Sequence, residues 1–181
     1  KCDDTGESPN GHFFYSSQIP ADSGCVMAAC HELVYVNGSL TGNQMELIAL
    51  KESGWSYSAL GVASPPKRIR AEGMKSLTPV FRYGFESANR RMCVVCSVEG
   101  SKQLKVLVKG APEKLREMLR VVPEHYDELY QRFTLQGKRV IALAMRDLPD
   151  SITEGMLKSI PRSALESDLT FAGFMLFDCP L

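Results

Sequence analysis

Neither sign of charge dominates this sequence: 21 Lys and Arg residues meet 21 Asp and Glu residues, for a formal net charge of +0. A nucleic-acid surface or a polybasic membrane patch needs surplus cation to hold phosphate, so no nucleic-acid partner is read. Long apolar runs are missing too. Nothing approaches the roughly 18 consecutive apolar residues of a membrane span, and no cationic-then-apolar opening reads as a secretory signal. The chain is therefore expected not to be membrane-inserted. Histidine is scarce, with His12, His31 and His125 only, and none is spaced with Ser, Cys or a carboxylate as a nucleophilic site requires. No two acidic residues stand out as an acid/base couple, so no catalytic residue is assigned. A Gly-rich loop ending in Lys-Ser/Thr is absent, as is any internal repeat.

What is present suits one soluble domain. The chain has 181 residues, 44% of them hydrophobic, enough to bury a core. Residues 1–20 hold Gly, Ser, Pro, Asn and Asp without periodicity and read as a flexible lead-in, with Phe13-Phe14-Tyr15 as an aromatic anchor. Within it Asp3-Asp4-Thr5-Gly6 reads as solvated linker. Residues 21–181 read as the domain. Of six cysteines, Cys25, Cys30, Cys93, Cys96 and Cys179 lie in apolar stretches, where the residue behaves as a small hydrophobe. Cys93 and Cys96 have metal-site spacing, but in a strand positions three apart face opposite ways, so no metal is assigned.

Hydrophobic periodicity predicts a short helix over 22–30, capped by Asp22 and Ser23, then a hairpin over 33–40 turning at Asn37-Gly38. A helix over 43–53 follows, stopped by Gly54, with 62–66 as a loop and the basic segment 67–75 as an exposed strand. Strands are predicted over 80–85, with Phe81, Tyr83 and Phe85 on one side, and over 92–98 and 104–108 as an antiparallel hairpin. Helices over 112–120 and 123–135 precede strands over 139–145 and 169–177, with short helical pieces around Met156 and Leu165. The class is α+β, a twisted, mainly antiparallel sheet flanked by helices.

The sharpest local signal is Val108-Lys109-Gly110-Ala111-Pro112-Glu113, a strand that ends in Lys-Gly and turns straight into a helix. Gly110 permits close approach of a backbone or ligand, and Lys109 adds a cation at the sheet's rim. By itself the pattern is also that of an ordinary β–α turn with a solvated lysine. His31, beside an apolar helix, reads as a packed or capping residue.

Four segments in order carry a resemblance: Gly42-Asn43-Gln44-Met45-Glu46; Phe85-Glu86-Ser87 with Arg91-Met92-Cys93-Val94; Lys109-Gly110-Ala111-Pro112-Glu113; and Gly137-Lys138-Arg139-Val140-Ile141-Ala142-Leu143-Ala144. Together they resemble the nucleotide-binding domain of P-type ATPases, from about residue 28 to the C-terminus. Ala29-Cys30-His31-Glu32-Leu33-Val34, Gly54-Trp55-Ser56-Tyr57 and the stretch from Phe171 through Cys179-Pro180-Leu181 look like the type V, subgroup A pumps of the endoplasmic reticulum.

The resemblance implies a P-type ATPase nucleotide-domain fold and ATP as ligand, with Mg2+ accompanying the nucleotide in the full-length protein. It implies Phe85 stacked on adenine and Glu46 accepting from the adenine amino group. Lys109 would line the pocket, Gly110 would leave room for the ring, and Arg139 and Arg90 would lie near the phosphates. Asn43, where the family carries an acidic residue, and Gln44-Met45, in place of Pro-Leu, depart from the pattern. The phosphorylated Asp-Lys-Thr-Gly-Thr motif, the magnesium-binding aspartates, the actuator loop and the membrane helices are absent from this chain. The implied partners are the phosphorylation and actuator domains of a longer chain on the cytosolic face of the endoplasmic reticulum. The fragment would be a monomer that binds ATP without turning it over, with both chain ends close together at a hinge. The competing reading is a non-enzymatic α+β interaction module docking through 67–70.

Overall fold

A computed structural model describes residues 19–178. The predicted lead-in up to residue 18, its Phe13-Phe14-Tyr15 anchor and the Cys179-Pro180-Leu181 exit lie outside the described residues. The described chain is α+β, as expected: seven strands form one antiparallel sheet, β3 (Ser56–Tyr57), β4 (Ala63–Ser64), β5 (Leu77–Glu86), β6 (Arg91–Val98), β7 (Leu104–Gly110), β8 (Lys138–Asp147) and β9 (Thr170–Asp178), neighbours in space in sequence order. Such a meander needs only local connections, and every pairing is antiparallel.

The two central strands β6 and β7 are buried on both sides, which is why they read as unbroken apolar runs rather than as alternation. Successive residues divide between two cores. Met92, Val94, Cys96 and Leu107 pack with Cys25, Val26, Ala28 and Cys30 of the first helix region on one face. Cys93, Val95, Val106 and Val108 pack with Leu115, Tyr126, Leu157 and Leu165 on the other. Cys93 and Cys96 thus sit on opposite faces, as strand geometry requires.

The first face is covered by α1 (Ala21–Ala29) and α2 (Gln44–Ser53), joined through the hairpin β1 (Val34–Val36) and β2 (Ser39–Thr41). The hairpin turns at Asn37 and Gly38, both at positive φ, as a primed turn demands. α2 starts where Asn43 Oδ1 accepts from the Met45 N–H at 2.9 Å and stops at Gly54 in the left-handed conformation. α1 departs from expectation. Neither Asp22 nor Ser23 caps it; Pro20 is the N-cap, and the Ser23 hydroxyl donates to the Ala172 carbonyl of β9 instead.

The second face carries α4 (Pro112–Arg116), α5 (Tyr126–Leu135), a 3-10 turn (Glu154–Ser159) and α6 (Arg162–Leu165). α4 and α5 are shorter than predicted. The segment predicted as an exposed basic strand is also different: α3 (Lys67–Ala71) is a helix that follows Pro66 and is anchored by buried Ile69. Arg68 pairs with Glu72 at 3.0 Å and Arg70 with Glu99 at 3.2 Å, so these two cations are already matched. The loop predicted over 62–66 contains the two residues of β4.

Candidate functional site

Lys109 is the penultimate residue of β7 and pairs with Met92 on one side and Leu143 on the other. All three belong to the face covered by α1 and α2. Its ammonium meets Glu46 Oε1 at 2.5 Å, and each side chain is 13% exposed. Glu46 lies in the first turn of α2, where a carboxylate also faces the positive end of the helix dipole. Its second oxygen accepts the Glu32 N–H at 3.1 Å. One carboxylate therefore ties the start of α2 to the sheet and to the turn after α1.

Phe85 reaches this face through an irregularity. Tyr83 pairs with Cys93 and Glu86 with Arg91, so two residues, Gly84 and Phe85, stand opposite the single Met92. An extra residue reverses the alternation beyond it. Tyr83 belongs to the second face, and Glu86 also points there, because Arg162 of α6 pairs with Glu86 at 3.2 Å while lying 4.9 Å from the centre of the Tyr83 ring. Phe85 is thus turned to the Lys109 side, away from Phe81 and Tyr83, correcting the expectation that all three share a side. It is 53% exposed. Strand spacing places it about 10 Å from Lys109, two strands away at the same end of the sheet. The bulge is possible because β4 pairs with β5 only at Leu77, leaving residues 78–86 as a free edge.

Arg139 of β8 is exposed and shares the alternation of Ile141 and Leu143, hence the same face, about 14 Å along the strand from the Lys109 partner. Arg82, opposite Val94, is exposed on that face as well. Among the described residues neither has an ion-pair partner. Arg90 sits in the β5–β6 turn at positive φ and pairs with Glu113 of α4 at 2.6 Å. Gly110 points to the other face. A Cβ there would lie 2.6 Å from the Arg90 carbonyl oxygen and 2.9 Å from Arg91 Cα, so its space is filled by the 90–91 backbone. Ala111 N–H completes the contact by donating to that same Arg90 carbonyl at 3.0 Å.

Beneath Lys109 lies a buried floor. His31 is fully enclosed. Its Nδ1 accepts the Leu33 N–H at 3.1 Å and its Nε2 donates to the Ala28 carbonyl at 2.9 Å, which fixes one neutral tautomer. Burial, with the nearby Lys109 cation adding to it, lowers its pKa to about 4. Burial likewise pushes the Cys30 thiol up to about 12, against the opposing pull of Lys109. His31 is a packed residue, as expected, and Cys30 is inert.

No protein-family model matches the chain. Curated relatives do. It is 41% identical over 165 residues, 91% of this chain and 13% of the relative, to the probable manganese-transporting ATPase PDR2 of Arabidopsis thaliana. It is 37% identical over 171 residues, 94% of this chain and 13% of the relative, to the endoplasmic reticulum transmembrane helix translocase of Saccharomyces cerevisiae. This chain belongs to the type V P-type ATPases. To the polyamine-transporting ATPase 13A3 of Homo sapiens it is 30% identical over 180 residues, 83% of this chain. The chain spans only 13 to 15% of the length of these relatives.

In this type V ATPase segment, then, Lys109 and Glu46 are in direct contact, Phe85 and Arg139 share their face, and Arg90 and Gly110 build the adjoining turn. Sequence reasoning missed Arg82, Glu32 and Arg162. Arg82 was within reach, since it alternates with Phe81 and Tyr83 and so faces the other way. Arg162 carried no local signal for the site, because Tyr83 and Glu86, which it grips there, lie far earlier in the chain.

Proposed function

We propose that this chain is the nucleotide-binding domain of its ATPase, holding ATP so that the γ-phosphate can be presented to an aspartate on a separate phosphorylation domain. The observation that carries the reading is the Phe85 ring, half exposed at a sheet rim and turned by a bulge toward the Lys109–Glu46 pair. A phenyl ring half exposed at that rim offers a flat stacking face, and a purine supplies a partner of matching size. The Lys109–Glu46 pair beside it fits the polar edge of the base. Glu46 retains acceptor capacity for an amino group, since each carboxylate oxygen has two lone pairs. Arg139 and Arg82, without acidic partners among the described residues, suit a polyphosphate tail, and a guanidinium fork matches an oxyanion well.

ATP supplies the phosphoryl group and arrives with its own Mg2+; this chain's residues bind and orient it. Transfer also needs a nucleophile, which in this reading belongs to the phosphorylation domain of the longer chain, with the actuator domain as a further partner. Residues 21–181 form the domain in this reading, inserted between the two halves of the phosphorylation domain. Identity runs from 33 to 37% with the relatives named as endoplasmic reticulum helix translocases and from 28 to 31% with the 13A relatives. That ordering favours a parent at the endoplasmic reticulum, with this segment on the cytosolic side; its cargo in this reading is transmembrane segments, while the relative at 41% identity is named for manganese transport.

Titration calorimetry tests the reading. The chain is expected to bind ATP saturably, and Phe85→Ala to weaken binding at least about fivefold, since base–aromatic stacking is worth on the order of 1–3 kcal/mol. The isolated chain should release no phosphate from ATP. Absence of heat at millimolar ATP, or unchanged affinity in Phe85→Ala, would overturn the assignment.

A further inference from the structure

Phe85 faces the candidate site only because the strand carries an extra residue, and something must hold that register. A regular β5 would place Phe85 beside Tyr83 and send Glu86 to the opposite face. Arg162 opposes this. Its guanidinium lies over the Tyr83 ring, 4.9 Å from the centroid, and pairs with Glu86 at 3.2 Å, so one side chain grips both residues that flank Gly84-Phe85. Both grips require Tyr83 and Glu86 on the same face, a condition that only the bulged register meets. The same guanidinium is locked from behind. Its Nε donates to Glu166 Oε1 at 2.9 Å, and another nitrogen donates to the Arg91 carbonyl at 3.3 Å. Glu166, 2% exposed, also takes Arg91 at 2.7 Å. A planar five-donor head held at four points is a rigid wedge, and its own side chain is 15% exposed, on the face away from Lys109.

We infer that Arg162 is a positioning residue for the nucleotide site: it never touches the ligand and acts by pinning the β5 bulge that presents Phe85 to the base. The inference rests on the proposed nucleotide reading for its effect on affinity, but not for its effect on where the ring points.

The test uses the 181-residue chain, titrated with ATP, adenosine and tripolyphosphate, with Arg162→Met made in the native and Phe85→Ala backgrounds. If Arg162 works through the ring, Arg162→Met weakens ATP and adenosine about tenfold, the scale of a lost stack, and leaves tripolyphosphate within about twofold. In the Phe85→Ala background the same change costs less than about twofold for every ligand, because coupled residues are non-additive. Equal losses for all three ligands, or the same loss in both backgrounds, overturn it. Glu86→Ala removes one grip at the surface and spares the buried Arg91–Glu166 pair, so it serves if Arg162→Met does not fold; about a threefold loss is expected, and no loss counts against the inference. If Phe85→Ala alone leaves ATP binding intact, the nucleotide reading fails and the ring's position decides the matter. In the ligand-free protein, NMR contacts from the Phe85 ring to the Met92 side chain should disappear in Arg162→Met, and their persistence overturns the positioning role.

Discussion

Two residues show how burial sets chemistry here. His31 and Lys109 are neighbours, yet only Lys109 has an acidic partner, Glu46; both His31 nitrogens are committed to backbone groups, and the buried ring is held neutral. Protonating Nδ1 would bring a second cation beside Lys109 and break the bond from the Leu33 N–H. The folded pKa of about 4 lies below the ordinary value near 6.5, so the unfolded chain binds the extra proton first. Stability is therefore full above pH 6.5 and falls as pH drops toward 4, by about 3 kcal/mol in all. Urea denaturation as a function of pH should show this slope between pH 6.5 and 4.5, before most carboxylates titrate. His31→Gln should flatten it.

At the scale of an element, the decisive feature is the paired irregularity at one end of the sheet. The bulge in β5 sends Phe85 to one face, and the β5–β6 turn folds its 90–91 backbone against Gly110 on the other. Alternation over 80–85 was legible in the sequence, but its phase was not, since Gly84 and Phe85 carry no local mark that two residues answer one. The free edge of β5, and side chains far along the chain, choose the register. Gly110 is the second half of the device. Any side chain there meets backbone rather than a movable side-chain tip, so Gly110→Ala should destabilise the fold by about 1–3 kcal/mol, as overpacking does. Chemical denaturation measures that loss, and nucleotide affinity should fall with it as the turn bearing Arg90 shifts. A stability unchanged within error would show that the turn has room to yield.

Across the whole molecule, two cores on the two faces of one meander make the sheet the rigid part, and the proposed nucleotide site lies at its rim. The thiols report on that rigidity. Cys25, Cys30, Cys93 and Cys96 are all buried and unpaired, and burial raises the pKa of each, so none is a ready thiolate. With Cys2 and Cys179 replaced by serine, a thiol reagent should modify the native protein only at the rate of global unfolding. Saturating ATP should slow it further, because a ligand bound to the folded state alone lowers the unfolded population. Rapid labelling of any of the four would mean that a core opens locally.

The strands β5 to β9 with the helices between them, the stop of α2 at Gly54 and the primed turn at Asn37-Gly38 follow from neighbours in sequence, so the chain's own pattern dictated them. The grouping of Glu46, Phe85, Lys109 and Arg139 as candidates came through the family resemblance, carried by motifs each only a few residues long. Tertiary structure alone decided that Glu46 and Lys109 touch, that Phe85 turns to join them, that the 67–71 segment coils around buried Ile69, and that Arg162 reaches back to the β5 bulge. Those outcomes depend on packing between segments distant in the chain, and no local spacing encodes which face a strand presents once an extra residue has shifted its phase.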